Sequence, residues 1–206
     1  IDELRADIGV EFELPQFNTE ASPDGIRHFA LGRGDDNPLY CDREYARTTR
    51  WGDLLAPPSF VLTCGFPRSK GLPGIHALFT GVEIVCHKPI LAGQRLVAKS
   101  ALHEVKERHG RYAGKQYQQI SRTNYCSPEG EVFTSLYSHA FRMERGKAGT
   151  SKKFAGLERK QYSEEDLIEI EAAYARELAE RRGGEKRYWN DTDIGKACRE
   201  AVDGCM

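Results

Sequence analysis

Two hydrophobic periods divide this chain, a helical one before about residue 77 and a strand-like one from there to about residue 143. Ser22-Pro23-Asp24 supplies an N-cap with proline at the first helical position, and Ile26, Phe29 and Ala30 share one side of the turns that follow. This predicts a first helix that stops at Gly32 and Gly34. A second short helix is predicted from near Asp42, with Glu44 and Tyr45 in its first turn and Gly52 beyond its end. In LLAPPSFVLTCGF, Pro57 and Pro58 can open a helix, and Phe60, Val61 and Cys64 follow at buried spacing. Residues 57 to 66 are therefore expected to form an internal helix.

Four β-rich stretches come next, near 77 to 88, 94 to 107, 114 to 125 and 131 to 143. In the last of them Phe133, Tyr137 and Phe141 alternate with Thr134, Ser138 and Arg142. The breaks KPILAGQ, RHGRYAG and SPEGE are turn-like, so consecutive strands should pair antiparallel. After Met143 a polar, glycine-containing segment reads as a linker. Ser163 with Asp166 then resembles a capping box, ahead of a helix whose Leu167, Ile170, Tyr174 and Leu178 make a packing stripe and which ends at Gly183-Gly184.

At 206 residues, the chain is long enough to bury a full core. Its formal net charge of -1 lacks the basic excess that nucleic acid or an anionic membrane would reward, which leaves neutral or small anionic ligands. The six cysteines form no C-x-x-C pair, so neither a zinc ribbon nor a thioredoxin motif is present, and reduced thiols are expected. No run approaches the roughly 18 apolar residues of a membrane span. The start IDELRADIG has no basic-then-apolar leader, and the expectation is a cytoplasmic protein with neither membrane nor nucleic-acid partner.

The densest polar segment is Gly34-Asp35-Asp36-Asn37-Pro38-Leu39-Tyr40, followed by Asp42 and Ala46. It resembles the G-D-x-N-P-[IL]-H segment of the (R)-specific enoyl-CoA hydratases among the MaoC-like dehydratases. Trp51-Gly52, Ala56-Pro57-Pro58-Ser59-Phe60 and Lys88-Pro89-Ile90 ahead of Gly93 extend the likeness to the N-terminal halves of two-hot-dog acyl-CoA dehydratases, and Arg187-Tyr188-Trp189 resembles the entry to the second half. The resemblance implies an α+β hot-dog fold, a central helix wrapped by an antiparallel β-sheet. It implies a hot-dog domain over residues 1–145, a linker with an amphipathic helix over 146–187, and the start of a second unit or a C-terminal tail over 188–206. A second hot-dog domain, in the same or another polypeptide, is the implied partner. The implied substrate is an acyl thioester of CoA or acyl carrier protein, and the reaction needs no metal or redox cofactor.

Adding water across a double bond conjugated to a thioester requires a base for the water, an acid for Cα and a donor for the developing enolate oxygen. By the resemblance, Asp35, Asn37 and Tyr40 occupy the catalytic motif, and Pro57, Pro58, Ser59 and Phe60 the substrate-binding start of the central helix. Tyr40 stands where the family has histidine. A phenol with a pKa near ~10 donates a hydrogen bond at neutral pH but accepts a proton poorly, so the usual acid-base pair is broken here. None of the six histidines is an obvious substitute, since His28 falls in the first helix and the others lie in or beside strands. Asp35 also has a plain reading, because Asp-Asp-Asn-Pro is good turn and capping chemistry. The basic tip with His109, Arg111 and Lys115 can touch CoA phosphates, or simply keep an exposed turn soluble. Two functions fit: the acyl-binding half of a hydro-lyase, or a non-catalytic acyl-CoA-binding subunit. A hot-dog thioesterase fits less well, because Ser59 to Phe66 contains no carboxylate.

Overall fold

A computed structural model describes residues 2–66, 75–110, 114–144, 159, 161–180 and 188–191. The chain divides into two compact units, Ile1–Lys152 and Lys153–Met206. In the first, α1 (Asp2–Ala6), β1 (Glu11–Glu13), α2 (Pro23–Gly32), α3 (Pro38–Cys41), α4 (Arg43–Thr48) and a 3-10 helix (Pro58–Thr63) precede the long strands β2 (Ile75–Cys86), β3 (Val97–Gly110), β4 (Gly114–Cys126) and β5 (Val132–Glu144). The strands form one antiparallel sheet in the order β1-β3-β4-β5-β2. All four β-rich stretches read from the sequence are strands, with ends shifted by up to three residues. β1 was not foreseen, because three residues are too few to display an alternation.

The core lies between the inner face of this sheet and the helices. Ala98, Tyr125 and Thr134 lie across from one another in register, as do Ser100, Thr123 and Leu136. Ile26 and Ala30 of α2, Phe60 and Val61 of the 3-10 helix and Cys64 just after it are buried against this face. The Phe29 ring meets Phe60 edge-on, with centroids 5.7 Å apart. Thr123 Oγ1 donates to Ser100 Oγ at 3.0 Å and Arg142 Nε to Gln119 Oε1 at 2.9 Å, so these buried polar groups are satisfied within the sheet.

The internal helix expected over 57 to 66 is shorter and tighter than the spacing suggested: it is a 3-10 helix of six residues. Pro57 and Pro58 remove two backbone donors at its start. At its end the chain turns away through Gly65, whose φ is +139°, and a Cβ there would lie 3.1 Å from the Pro15 carbonyl oxygen. The Tyr125 hydroxyl locks this ending by donating to the Gly65 carbonyl at 2.6 Å.

The inward face of β5 also differs from the apolar alternation. Val132 pairs with Cys126 and Thr134 with Tyr125, which leaves Phe133 as the extra residue of a bulge. Phe133 still joins the core, but beyond the bulge Thr134, Ser138 and Arg142 are buried while Tyr137 and Phe141 are partly exposed.

In the second unit, α5 (Glu164–Ala179) starts with the expected capping box: Ser163 Oγ accepts from the Asp166 N–H, and Asp166 Oδ2 accepts from the Ser163 N–H. The packing stripe is not buried, since Leu167, Tyr174 and Leu178 are exposed. The predicted linker between the units lies almost wholly outside the described residues, as does Arg182 to Arg187. Among the described residues no helix is long and apolar enough to cross a membrane.

Candidate functional site

The polar segment after α2 is assembled by its own side chains. Helix α2 ends in a Schellman motif: the Asp35 N–H donates to the Ala30 carbonyl and the Gly34 N–H to Leu31, with Gly34 at φ +73°. Asp35 Oδ1 accepts from the Asn37 N–H at 3.1 Å. Asn37 Oδ1 accepts from the Leu39 N–H at 3.0 Å and caps α3, with Pro38 at the first helical position. Asp42 Oδ1 accepts from the Tyr45 N–H at 3.0 Å and caps α4. Three polar side chains of the motif are therefore engaged in shaping the backbone that carries Tyr40.

Backbone hydrogen bonds join this segment to the other motif stretches. The Leu55 N–H donates to the Leu39 carbonyl at 3.0 Å, the Ala56 N–H to Ile90 at 2.8 Å, and the Ala92 N–H to Leu54 at 2.9 Å. These bonds bring α3, the Ala56-Pro57-Pro58 entry and the Lys88-Pro89-Ile90 turn around one cleft of about 290 Å³. Tyr40, Trp51 and Leu55 line it on one side. Pro57, Pro58 and Ile90 line it as well, and β2 and β5 contribute Cys86 and Thr134.

Among the residues singled out from the sequence, Tyr40, Pro57 and Pro58 therefore share the cleft. Asp35 and Asn37 are not among its lining residues and brace the segment beside Tyr40. Ser59 is half-buried at the start of the 3-10 helix, and Phe60, expected at the groove, is wholly buried in the core. Lys115 sits at the β3–β4 turn with its Nζ 3.0 Å from Glu107 Oε2, and Arg111 lies outside the described residues. Burial pushes the pKa of the Tyr40 phenol up from its ordinary value, and the nearby Asp35 carboxylate pushes it further in the same direction. Tyr40 consequently presents a protonated hydroxyl to the cleft at neutral pH.

His87, set aside with the other histidines in the sequence, directly follows β2 and also lines the cleft. Its N–H donates to the Phe133 carbonyl at 2.8 Å, and its Nε2 lies 3.0 Å from Ser135 Oγ. Ser135 Oγ in turn donates to Asn124 Oδ1 at 2.8 Å. The available signal was position, since His87 immediately precedes the Lys88-Pro89-Ile90 stretch. Among the described residues no group of His, Cys, Asp and Glu is arranged to hold a metal ion.

Comparison with known proteins adds a family. The sequence model described as "FAS1-like, dehydratase domain region" matches residues 6–134. A UPF0336 protein of Parafrankia sp. is 33% identical over 116 residues, 52% of this chain and 73% of that protein. A UPF0336 protein of Streptomyces avermitilis is 30% identical over 99 residues, 44% of this chain and 66% of that protein, so the match spans just under two thirds of the latter. Among solved structures, the chain is similar to one of the HadBC (3R-hydroxyacyl-ACP dehydratase) complex from Mycobacterium tuberculosis, at 24% identity and a TM-score of 0.53, covering 66% of this chain and 96% of that one. It is also similar to one of the ChsH1-ChsH2 complex from the same organism, at 14% identity and a TM-score of 0.57, covering 71% and 99%. The MaoC-like dehydratase from Rhodospirillum rubrum follows at 19% identity and a TM-score of 0.50, covering 67% and 93%. At these identities the likeness establishes the fold, which is the hot-dog fold.

Proposed function

Because the chain belongs to the FAS1-like dehydratase region family, we propose that it is the acyl-binding half of an acyl-thioester hydro-lyase, of the enoyl-CoA hydratase or 3-hydroxyacyl-thioester dehydratase type, whose acid-base residues come from a second hot-dog domain. The observation that carries this reading is Tyr40 lining the cleft where the family has histidine, with its pKa pushed up by burial. A protonated phenol can orient a thioester or hydroxyl oxygen by donating a hydrogen bond, but it cannot take a proton from water at neutral pH. Asp35, the other half of the family's pair, has one carboxylate oxygen engaged by the Asn37 N–H. The cleft walls are largely apolar, which suits an acyl group. The HadBC and ChsH1-ChsH2 complexes named above offer a precedent for such a division.

The alternative, a non-catalytic subunit that only binds acyl-CoA, draws on the same capping role of Asp35. Assay of crotonyl-CoA and longer enoyl-CoAs separates the two. The isolated 206-residue chain is expected to hydrate them no faster than buffer, and its complex with a histidine-bearing hot dog to be active. In that complex Asp35→Asn should change the rate only slightly, because an amide oxygen preserves the turn, while loss of the partner's histidine should abolish it. If the lone chain turns over and Asp35→Asn costs about 10²-fold or more in kcat, Asp35 is a working base and the division of labour is refuted. A complex that binds acyl-CoA yet stays inactive supports the structural-subunit reading.

A further inference from the structure

We propose that Arg50, stacked on the cleft residue Trp51, binds the phosphate of the pantetheine arm that carries the acyl group. The inference rests on the reading of the cleft as an acyl-thioester site and adds to it the place where the carrier is held.

The presentation of Arg50 is built into the fold. After α4 the chain reverses in a tight turn: Thr49 Oγ1 donates to the Ala46 carbonyl at 2.7 Å, the Trp51 N–H donates to Thr49 Oγ1 at 3.3 Å, and the Gly52 N–H donates to the Thr49 carbonyl at 3.2 Å. Gly52 has φ +75°, a conformation that favours glycine. The turn puts the half-buried Trp51 into the cleft wall and leaves Arg50 exposed, with its guanidinium carbon 4.3 Å from the Trp51 ring centroid. Stacking on an indole face fixes the plane of a guanidinium while leaving its N–H edges available.

Two other cations of these segments are already paired. Arg43 makes a two-point contact with Asp53, both bonds 2.8 Å long, and the Lys88 ammonium is paired with Glu131. Arg47 lies in the field of the same Asp53 carboxylate. Among the described residues Arg50 makes no ion pair, and the Trp51 indole N–H makes no hydrogen bond. Both groups are donors with no acceptor capacity, and the charged one favours an anion. In a thioester of CoA or carrier protein, the anion nearest the acyl group is the phosphate at the far end of the flexible pantetheine arm. An exposed cation stacked on a residue of the cleft wall is suited to meet that end once the acyl end is inside. Lys115, the other basic candidate, has its charge compensated by Glu107.

Calorimetry on the 206-residue chain tests this with four probes: pantetheine, 4′-phosphopantetheine, CoA and butyryl-CoA. The phosphorylated probes are expected to bind about tenfold more tightly than pantetheine, to weaken with salt, and to shift the Trp51 indole N–H resonance. Arg50→Ala should remove the phosphate preference, and Arg50→Lys should keep part of it. Equal binding of pantetheine and phosphopantetheine, or a preference that survives Arg50→Ala, overturns the proposal while leaving the acyl cleft intact. Conversely, an Arg50-dependent affinity for CoA that the butyryl group does not improve keeps the phosphate site and refutes the acyl cleft. Absence of binding by every probe overturns both. A phosphopantetheinylated carrier protein that binds more tightly than CoA, still through Arg50, identifies protein rather than CoA as the source of the arm.

Discussion

At Tyr125 a single buried hydroxyl holds the end of the central helix. It donates to the Gly65 carbonyl at 2.6 Å, and burial pushes the phenol's pKa far up, so the donor is present at every ordinary pH. Tyr125→Phe keeps the ring and strands the carbonyl without its partner. The expected cost is about 1–3 kcal/mol, read as a lower urea midpoint with an unchanged slope. A loss below about 0.5 kcal/mol would mean that water or another donor replaces the hydroxyl. Single residues differ in how legible they are before the fold is known. Asp35, Asn37 and Asp42 act on neighbours two or three positions away, so their turn and capping chemistry is written in the local sequence. His87 reaches the cleft only because Ala56 bonds to Ile90 and Leu55 to Leu39, contacts far apart in the chain. Nothing local marks it out from other histidines beside strands.

Among the elements, the strands and α2 follow from local periodicity and capping, and they appear within a few residues of their expected bounds. The central helix does not, because its length is set by Gly65 meeting the Pro15 backbone and by Tyr125, both remote in sequence. The inward face of β5 also escapes local reading, since one bulge at Phe133 changes which alternate set points into the core. Helix α4 offers an element-scale test. Its first residue, Arg43, clamps Asp53 in the loop that leads to the cleft, and the hydrogen bond from Arg43 is the leading cause that holds the Asp53 carboxyl below its ordinary 3.8. A depressed folded-state pKa contributes stability above the unfolded value, and this is lost as pH falls through the folded value. Asp53→Asn should therefore lower the thermal midpoint at pH 7. The difference from wild type should shrink steadily below pH 3.8 and vanish once the wild-type carboxyl is protonated. A difference that persists unchanged in acid would assign the effect to the loop backbone rather than to the ion pair.

For the molecule as a whole, the decisive feature is the contrast between the two ends of the sheet. At one end β1 is three residues long, and two of those are glutamates. At the other, β2 runs for twelve residues with, among the described residues, a strand neighbour on one side only, and it exposes Leu78, Phe79 and Val82. A long apolar edge with unpaired backbone groups favours addition of another strand, whereas a short acidic edge discourages it. Phe66 packs edge-on against Phe79, with centroids 5.9 Å apart, and both residues remain partly exposed. The same strand ends at Cys86 in the cleft wall, so a hot dog added along β2 would bring its own catalytic residues towards the cleft without disturbing the core. From this follows a prediction about assembly. The wild-type chain at micromolar concentration should sediment above monomer mass, and Leu78→Lys on β2 should return it to monomer. Phe12→Lys on β1, a change of the same kind at a residue of similar exposure, should leave the mass unchanged. A monomeric wild type, or dissociation caused by Phe12→Lys and not by Leu78→Lys, would place the partner elsewhere. In the active complex Leu78→Lys should then cost activity in proportion to lost assembly, and raising the partner concentration should recover it, because the cleft residues themselves are untouched.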